Sequence, residues 1–464
     1  MNEMIDLVGR KVLIIGAGKS GIGSACLLER NGAIPVIYDS NENAIEADIR
    51  SKLESVLGKE SNAEIITGVF KNEMTEGVAL TVLSPGVPTD IDFVMYIKSK
   101  NIPVWGEIEL AYNFAKGKVV AITGTNGKTT TTSLVGQIMQ EYYESVYIVG
   151  NIGNPYTDVA IDMNENTVSV AEISSFQLET IQNFHPVVSA ILNVTPDHLN
   201  RHHTMENYAA AKEAITMNQS KDDFCILNYE NEYTKEFGER CPAQVVYFSS
   251  VRKLENGIYY NSEDEMIYLA ENGNDKALLN VKTDMNLVGI CNIENVMAAI
   301  GISMKFGVPM ENILATIKRF VAVEHRIEYV ATKNGVMYYN DSKATNTDAA
   351  IQGIKAMDRP TVLLAGGYDK GSEYDDWINC FEGKVKKLIL IGQTREKIAE
   401  SAVRCGFDEA DIIFADTYKE ALDICVREAA NGDAVLLSPA CASWGMFPNY
   451  EVRGKEFKEY VNSL

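Results

Sequence analysis

The sequence predicts an α/β protein of three domains, each a largely parallel sheet flanked by helices. Two observations predict it. Short, continuous apolar runs recur along the chain with helical stretches between them, as strands buried on both faces require. Two glycine-rich turns, "GAGKSGIG" at 16–23 and "GTNGKTT" at 124–130, each stand between such a run and the start of a helix. A length of 464 residues allows two to four domains, each able to bury its own core.

The first block, residues 1–104, reads strand ("KVLIIGAG"), glycine turn, helix from about Gly21 to Asn31, then strands "IPVIYDS" and "VALTVLSPGVP", the latter ending in a turn at Ser84–Pro88. This is a doubly wound, nucleotide-type arrangement. The second block, 105–322, follows "NIPVWGEIELAYNFAKGK". Its buried strands are "KVVAITG", "SVYIVGN", "TVSVAEIS" and "VVSAILNVTPDH". "KTTTTSLVGQIMQ" begins a helix, "MENYAAAKEAITMN" is amphipathic at helical spacing, and "GIYYNSEDEMIYLAE" reads as a hairpin on the edge. The third block, 323–464, opens with two strands around a Lys-Asn-Gly turn in "RIEYVATKNGVMYYND" and continues through "PTVLLAGG", "KLILIGQT" and "AVLLSPA", alternating with helices.

Charged residues make up 23% and hydrophobic residues 46% of the chain, as in soluble enzymes, and the net charge is −22. That balance argues against a nucleic-acid backbone or an anionic membrane as the main partner. The eight cysteines form no C-x-x-C and suit buried thiols in a reducing cytosol. The start, "MNEMIDLVGRKVLIIGAG", is acidic and runs directly into a strand, unlike a signal peptide. No apolar run reaches the ~20 residues of a membrane span. A cytoplasmic location is expected.

Gly16, Gly18 and Gly21 spell G-x-G-x-x-G, and Asp39 ends the next strand. On that fingerprint a dinucleotide is the default ligand, with Asp39 on a ribose. Glycines and a helix N-terminus bind a diphosphate without saying whose, so a UDP-sugar serves equally well. The second turn is more specific. Gly127, Lys128 and Thr129 fit the end of a phosphate-binding loop, but the first glycine is Gly124 where the usual pattern puts it at Ile122. Such a shortened loop can still wrap a phosphate with backbone amides from Thr125 to Thr129, with Lys128 over the β/γ-phosphates and the Thr129 hydroxyl on Mg²⁺. Glu172 ends a strand of the same block, either as a hard oxygen ligand or as a helix N-cap acid. His198 also follows a strand there. His202 and His203 read as loop residues, and Lys212 reads most simply as a solvated lysine in an Ala-rich helix.

"GTNGKTT", "VGNIGNP", "EISSFQLE", "NVTPDHLNRH", "AAAKEAI", "EHRIEY", "NDSKATN" and "SPACASWGMF" occur in this order across almost the whole chain. Together they resemble the Mur ligases, and within that family the branch that adds D-glutamate to UDP-N-acetylmuramoyl-L-alanine. The D-N-P-R motif of the branch that adds diaminopimelate or lysine is absent. The resemblance implies a Rossmann-like UDP-sugar domain, a central ATPase domain and a Rossmann-like amino-acid domain. The two loops then serve two phosphorylated ligands. It implies a monomeric ATP-dependent ligase of peptidoglycan precursor synthesis that forms an acyl phosphate. Its partners are UDP-N-acetylmuramoyl-L-alanine, D-glutamate and ATP.

Site residues follow from the resemblance by position. ATP is implied on Gly124, Thr125, Asn126, Gly127, Lys128, Thr129, Thr130, Asn295 (toward the base), Arg326 and Asp341. Catalytic roles fall to Lys128, Asn151, His198, Lys212 and Lys343. Two Mg²⁺ ions are implied on Thr129, Glu172, His198 and a carbamylated Lys212. Gly18, Lys19, Ser20, Asp39, Ser40 and Ser174 are implied for the UDP-substrate, and Thr345, Lys370, Ser443 and Tyr450 for D-glutamate. Two departures are visible: Cys291 stands where the family commonly has histidine before Asn292, and Tyr450 where phenylalanine is often found. A nicotinamide-dependent dehydrogenase leaves the second loop, Lys128 and "DSKATN" without a role, the whole-chain resemblance disfavours it and a switch ATPase alike, and folylpolyglutamate synthase is expected to lack the first block.

Overall fold

The computed structural model describes residues 6–464, so Met1–Ile5 of the acidic start lie outside the described residues. Three sheets carry the fold. The first contains β1 (Lys11–Ile15), β2 (Ile34–Asp39), β3 (Glu64–Thr67), β4 (Val78–Leu83) and β5 (Val104–Gly106), in the order β3-β2-β1-β4-β5, all parallel. The apolar run of β1 is buried from Val12 to Ile15, because helices cover both faces. β4 ends in the expected turn, closed by the Val87 amide donating to the Ser84 carbonyl (3.0 Å).

The second sheet comprises β6 (Lys118–Thr123), β7 (Val146–Gly150), β8 (Val168–Glu172), β9 (Val188–Ile191), β10 (Phe224–Asn228), β11 (Gln244–Ser249), β12 (Gly257–Asn261), β13 (Met266–Glu271) and β14 (Asn274–Asn280). Their order is β14-β13-β12-β11-β10-β9-β6-β8-β7. The hairpin β12–β13 is antiparallel and lies toward one edge as expected, but β12 joins β11 in parallel and β14 adds a further strand outside it. β14, "NDKALLN", escapes the sequence reading because an exposed edge strand needs no apolar face.

These two sheets belong to one compact unit, residues 1–279 with 295–317. One apolar cluster runs from Ile14 and Ile37 through Trp105 and Ile108 to Ala121 and Ala171. Two buried glutamates on the helix Glu107–Phe114 have local hydrogen-bond donors. Glu107 accepts from the Thr157 amide and hydroxyl (2.8 and 2.9 Å), and Glu109 accepts from the amides of Gln182, Asn183 and Phe184 (2.9, 2.7 and 3.0 Å).

The second unit, 280–294 with 318–464, holds β15 (Glu328–Lys333), β16 (Val336–Asn340), β17 (Thr361–Ala365), β18 (Val385–Leu390), β19 (Ile412–Phe414) and β20 (Ala434–Leu437). Their order is β15-β16-β20-β17-β18-β19, with only the β15–β16 pair antiparallel. Asn334 (φ 51°) and Gly335 (φ 77°) make the anticipated tight turn between β15 and β16. The chain moves outward from β17 to β19 and then returns to β20 on the other side of β17, which creates a topological switch point beside β17.

All eight cysteines are free thiols. Among the described residues no helix is long and apolar enough to cross a membrane.

Gly21 shows how tightly the first loop is wound. A β-carbon there would overlap the carbonyl oxygen of Gly16, itself at φ +100°. Alanine is ordinarily better than glycine inside a helix by about 0.5–1 kcal/mol, but overpacking costs about 1–3 kcal/mol. Gly21→Ala is therefore expected to lower the thermal midpoint by several degrees; a midpoint equal to or above wild type would contradict the close approach.

Candidate active site

In each sheet the chemistry-bearing residues stand at the C-terminal ends of adjacent parallel strands, the ligand side of such sheets. In the first sheet Asp39 ends β2 and the glycine turn follows β1. The Asp39 carboxylate accepts the amides of Ala17 (2.8 Å) and Asn41 (3.0 Å), and the Ser84 hydroxyl reaches the Gly16 carbonyl (3.4 Å). Asp39 thus shapes the turn itself. Gly18 is the N-cap of the helix Lys19–Arg30, with Lys19 exposed and Ser20 in its first turn; Ser40 is exposed just beyond β2.

The shortened loop follows β6. Gly124 adopts φ +152° and Gly127 φ +86°, and the helix Lys128–Gln140 starts at once. Two of the amides expected to face a phosphate are used otherwise. The Thr125 amide donates to the Asn193 carbonyl (3.0 Å) and the Asn126 amide to Asn193 Oδ1 (2.8 Å). The start of the helix, with buried Thr129 and Thr130 in its first turn, keeps the amide donors that every helix N-terminus leaves unused by the helix itself. Lys128 Nζ donates to the carbonyls of Gly124 and Thr125 (both 2.8 Å).

Lys212 contradicts its reading as a solvated lysine: it is 1% exposed and its Nζ donates to the same Gly124 carbonyl (2.8 Å). The helix Met205–Glu213 does bury one face, through Tyr208, Ala209 and Lys212, and the lysine on that face is what the expected amphipathic stripe concealed. Its ammonium lies 4.5 Å from the centre of the Tyr208 ring, one helical turn earlier, whose hydroxyl meets Thr125 Oγ1 (3.2 Å). Burial, and then the nearby Lys128 charge, hold the Lys212 amine well below the usual lysine range.

Glu172, at the end of β8, is 1% exposed; one oxygen accepts from Asn151 Nδ2 (2.7 Å), and the other, Oε2, is buried with no hydrogen-bond partner. It is no N-cap. That role belongs to Ser174, whose hydroxyl accepts the Gln177 amide (3.3 Å) while Gln177 Oε1 accepts the Ser174 amide (2.9 Å). His198, beyond β9, adopts φ +54°; burial, then the charges of Lys128 and Lys212, depress its pKa against the raising effect of Asp197, 3.4 Å away.

His202 is not a loop residue either. It ends the helix Leu199–His202, is buried, stacks on Phe176 and contacts Ser175 Oγ (3.0 Å); His203 follows it, exposed, 3.6 Å from Asp90.

Among the described residues no three His, Cys, Asp or Glu side chains converge as a ready-made metal centre. The fit to a divalent ion rests on the orphaned Glu172 oxygen, a hard donor that burial without a partner makes costly. Asn295 packs against the loop, where it accepts from the Thr131 hydroxyl (3.2 Å) and fills the space a side chain at Gly127 would need. Asn193 and Tyr208 were missed by the sequence reading. Asn193 had a signal, standing just past β9 beside the loop strand.

In the second unit three loops meet beyond β16, β20 and β17. Asp341 is 3% exposed and accepts from Ser438 Oγ (2.8 Å) and the Ile327 amide (3.2 Å); burial pushes its pKa up to about 7. A β-carbon at Gly353 would lie 2.6 Å from Asp341 Oδ2, so glycine lets the helix Thr347–Lys355 pack there. Arg326 Nε is buried without a partner.

Lys343 Nζ lies 5.8 Å from the centre of the Tyr450 ring, and its main-chain carbonyl receives the Thr345 amide (2.8 Å). Arg453, also missed, is buried on the helix Tyr450–Ser463 and ties the loops together. Its guanidinium donates to Ser342 Oγ (3.0 Å), the Ser342 carbonyl (2.8 Å) and the Cys441 carbonyl (3.3 Å). Ser443 is buried, whereas Lys370 is exposed. Burial, then Glu451, which hydrogen-bonds the extra hydroxyl of Tyr450, pushes that phenol to about 12; burial likewise takes the Cys291 thiol to about 12.

Three family models match in succession: "Mur ligase MurD-like, N-terminal domain" over residues 10–106, "Mur ligase middle domain" over 122–303 and "Mur ligase, glutamate ligase domain" over 325–441. The chain belongs to the Mur ligase family. Relatives named UDP-N-acetylmuramoylalanine--D-glutamate ligase are 55% identical in Lachnospira eligens (99% of this chain, 100% of the relative) and 42% identical in Clostridioides difficile (99% and 100%). MurF from Acinetobacter baumannii shares the three-domain Mur ligase fold at TM-score 0.60, 16% identity, 96% of this chain and 93% of that one. A pseudomurein peptide ligase type C from Methanothermus fervidus does so at TM-score 0.57, 17% identity, 97% and 100%.

Asp341 makes stability depend on pH. Its native pKa, about 7, exceeds the ordinary 3.8, so the folded state holds a proton the unfolded state has lost, and stability falls as pH rises through that window. Asp341→Asn removes the effect. The difference in thermal midpoint, variant minus wild type, is expected to grow between about pH 5 and pH 8; a constant difference would contradict it.

Proposed function

We propose that this Mur ligase joins D-glutamate to UDP-N-acetylmuramoyl-L-alanine at the expense of ATP, as a cytoplasmic monomer in peptidoglycan precursor synthesis. The observation that carries the reading is the match along 99% of the chain to relatives of that name, at 55% and 53% identity. The proposed division is 1–104 for the UDP-sugar, 105–322 for ATP and 323–464 for the amino acid.

A carboxylate is a poor acyl donor because its leaving group would be oxide. Transfer of the γ-phosphoryl group to the substrate carboxylate breaks the bond to the β-phosphate, releases ADP and leaves an acyl phosphate. The D-glutamate amine then attacks the acyl carbon, the tetrahedral intermediate expels phosphate, and the amine loses a proton. Two anions must approach in the first step, so cations matter more than a covalent nucleophile. Lys128, released from its loop carbonyls, meets the β/γ-phosphates, with amides of the first turn of its helix and the loop Gly124–Thr130 around them. Asn151 fixes the Glu172 carboxylate and stands next to the phosphate path. Arg326, Asp341 and Lys343 serve the phosphates and ribose, and Asn295 the loop and the adenine side.

Thr129, Glu172, His198 and Lys212 are the residues that would hold Mg²⁺, which when bound neutralises phosphate charge. Lys212 suits this role as a carbamate: its neutral amine attacks CO₂, forms the N–C bond and releases a proton, leaving an anionic oxygen ligand. Its depressed pKa supports the first step. Gly18, Lys19, Ser20, Asp39, Ser40 and Ser174 line the UDP-substrate, with Asp39 acting through the turn it holds. Thr345, Lys370, Ser443 and Tyr450 receive the D-glutamate carboxylates.

Phosphate release from ATP is expected to require both UDP-N-acetylmuramoyl-L-alanine and D-glutamate, and to fail with L-glutamate; Lys128→Ala should lower product formation by at least ~10²-fold. Release that ignores the amino acid, or an unimpaired variant, would refute the assignment. With ¹³CO₂, wild-type protein should give a carbamate carbon resonance that Lys212→Arg lacks; an identical spectrum from both would exclude the modification.

A further inference from the structure

Of the three tryptophans in the chain, Trp105 and Trp377 are buried, whereas Trp444 is 54% exposed. It directly follows the Ser438–Ser443 segment, which is buried throughout. That segment is zipped to the loop beyond β17 by the Gly366 amide on the Pro439 carbonyl and the Tyr368 amide on the Ala442 carbonyl (both 2.9 Å). Where the zipper ends, three side chains gather. Tyr368, 41% exposed, meets Trp444 edge-on at 5.6 Å, and the Lys370 ammonium lies 5.1 Å from the Trp444 ring centre.

The exposed Trp444 indole offers its π-face beside a buried loop. Its contact with Lys370 gives it a use. Among the described residues no carboxylate pairs with Lys370; the neighbouring Asp369 faces Lys397 (3.9 Å) and caps the Gly371 amide (2.7 Å). A protein carboxylate would fix the ammonium equally well, but it would neutralise the cation and repel an acidic ligand. A π-face attracts the ammonium weakly, keeps it in one place and leaves its charge unspent.

We propose that Trp444, backed by Tyr368, is a positioning residue that holds the Lys370 ammonium ready for a carboxylate of the incoming dicarboxylic amino acid. This rests on the reading of Lys370 as a D-glutamate residue. Trp444 acts through Lys370 and sets the affinity for the acceptor amino acid, while the chemistry of the phosphoryl step is carried elsewhere.

The test is steady-state kinetics of the full chain as wild type, Trp444→Leu, Trp444→Phe and Lys370→Ala, with D-glutamate and ATP varied separately. Trp444→Leu should raise the KM for D-glutamate roughly two- to five-fold, the range a solvent-exposed cation–π contact provides. Its kcat and KM for ATP should hold, and Trp444→Phe, which keeps a π-face, should recover most of the loss. A second readout is tryptophan emission: adding D-glutamate in the presence of the UDP-substrate and a non-hydrolysable ATP analogue should shift it in wild type and leave Trp444→Phe unchanged. A wild-type KM in Trp444→Leu beside an impaired Lys370→Ala overturns this proposal alone, as does a Trp444→Phe variant as impaired as Trp444→Leu. An unimpaired Lys370→Ala overturns the reading of Lys370 along with it.

Discussion

Two lysine ammonium groups converge on one peptide oxygen. Lys128 arrives from the helix after the loop and Lys212 from a helix far along the chain, and both bond the Gly124 carbonyl at 2.8 Å. The arrangement needs glycine at φ +152° to aim that carbonyl, Asn193 to pin the loop, and the Tyr208 ring beneath the second ammonium. Like charges this close in a buried place repel, and water is not there to screen them. The tension is relieved by an anion that draws Lys128 outward or by loss of the Lys212 charge. The nucleotide phosphate tail and the carbamate proposed for this site would supply the first and the second.

The sequence carried the sheets well because parallel strands buried on both faces leave no ambiguity of side: "KVLII", "VSVAE" and "TVLLA" are apolar runs that nothing else explains. Gly124, Gly127, Lys128 and Glu172 were legible for a related reason, since a loop or acid at the end of such a strand has a fixed position. Lys212 was not. Its neighbours in sequence are alanines and a tyrosine, which suit a solvated helix equally well, and only the partner loop, 88 residues away, reveals the burial. Arg453 escaped for the same reason: apart from Ser342 Oγ, its acceptors are main-chain carbonyls, which carry no signal in a sequence. The contact pattern also joins the first two sheets into one unit through an apolar cluster that no local reading exposes.

The second unit solves a different problem with the same geometry. No phosphate loop is present there. Three loops beyond adjacent strands are instead linked by one buried guanidinium, and the cations left at the surface of that arrangement, Lys343 and Lys370, lie over aromatic rings. A dicarboxylate has two separated charges and no rigid tetrahedral shape. It is better met by individually placed side chains than by a backbone cradle.

The net charge of −22 does not by itself decide how an anion is met. A strongly acidic protein repels every substrate proposed for it, since each is an anion. At physiological salt, charges more than about 8 Å away are largely screened, so the distant excess matters little and the immediate neighbours decide. The cations that count must then be close and held in place. Carbonyl oxygens accept from Lys128, Lys212 and Arg453, and aromatic faces lie beside Lys343 and Lys370. Neutral holders preserve positive potential where salt bridges would cancel it. That rule links the loop after β6 in the first unit to the loops beyond β16, β17 and β20 in the second.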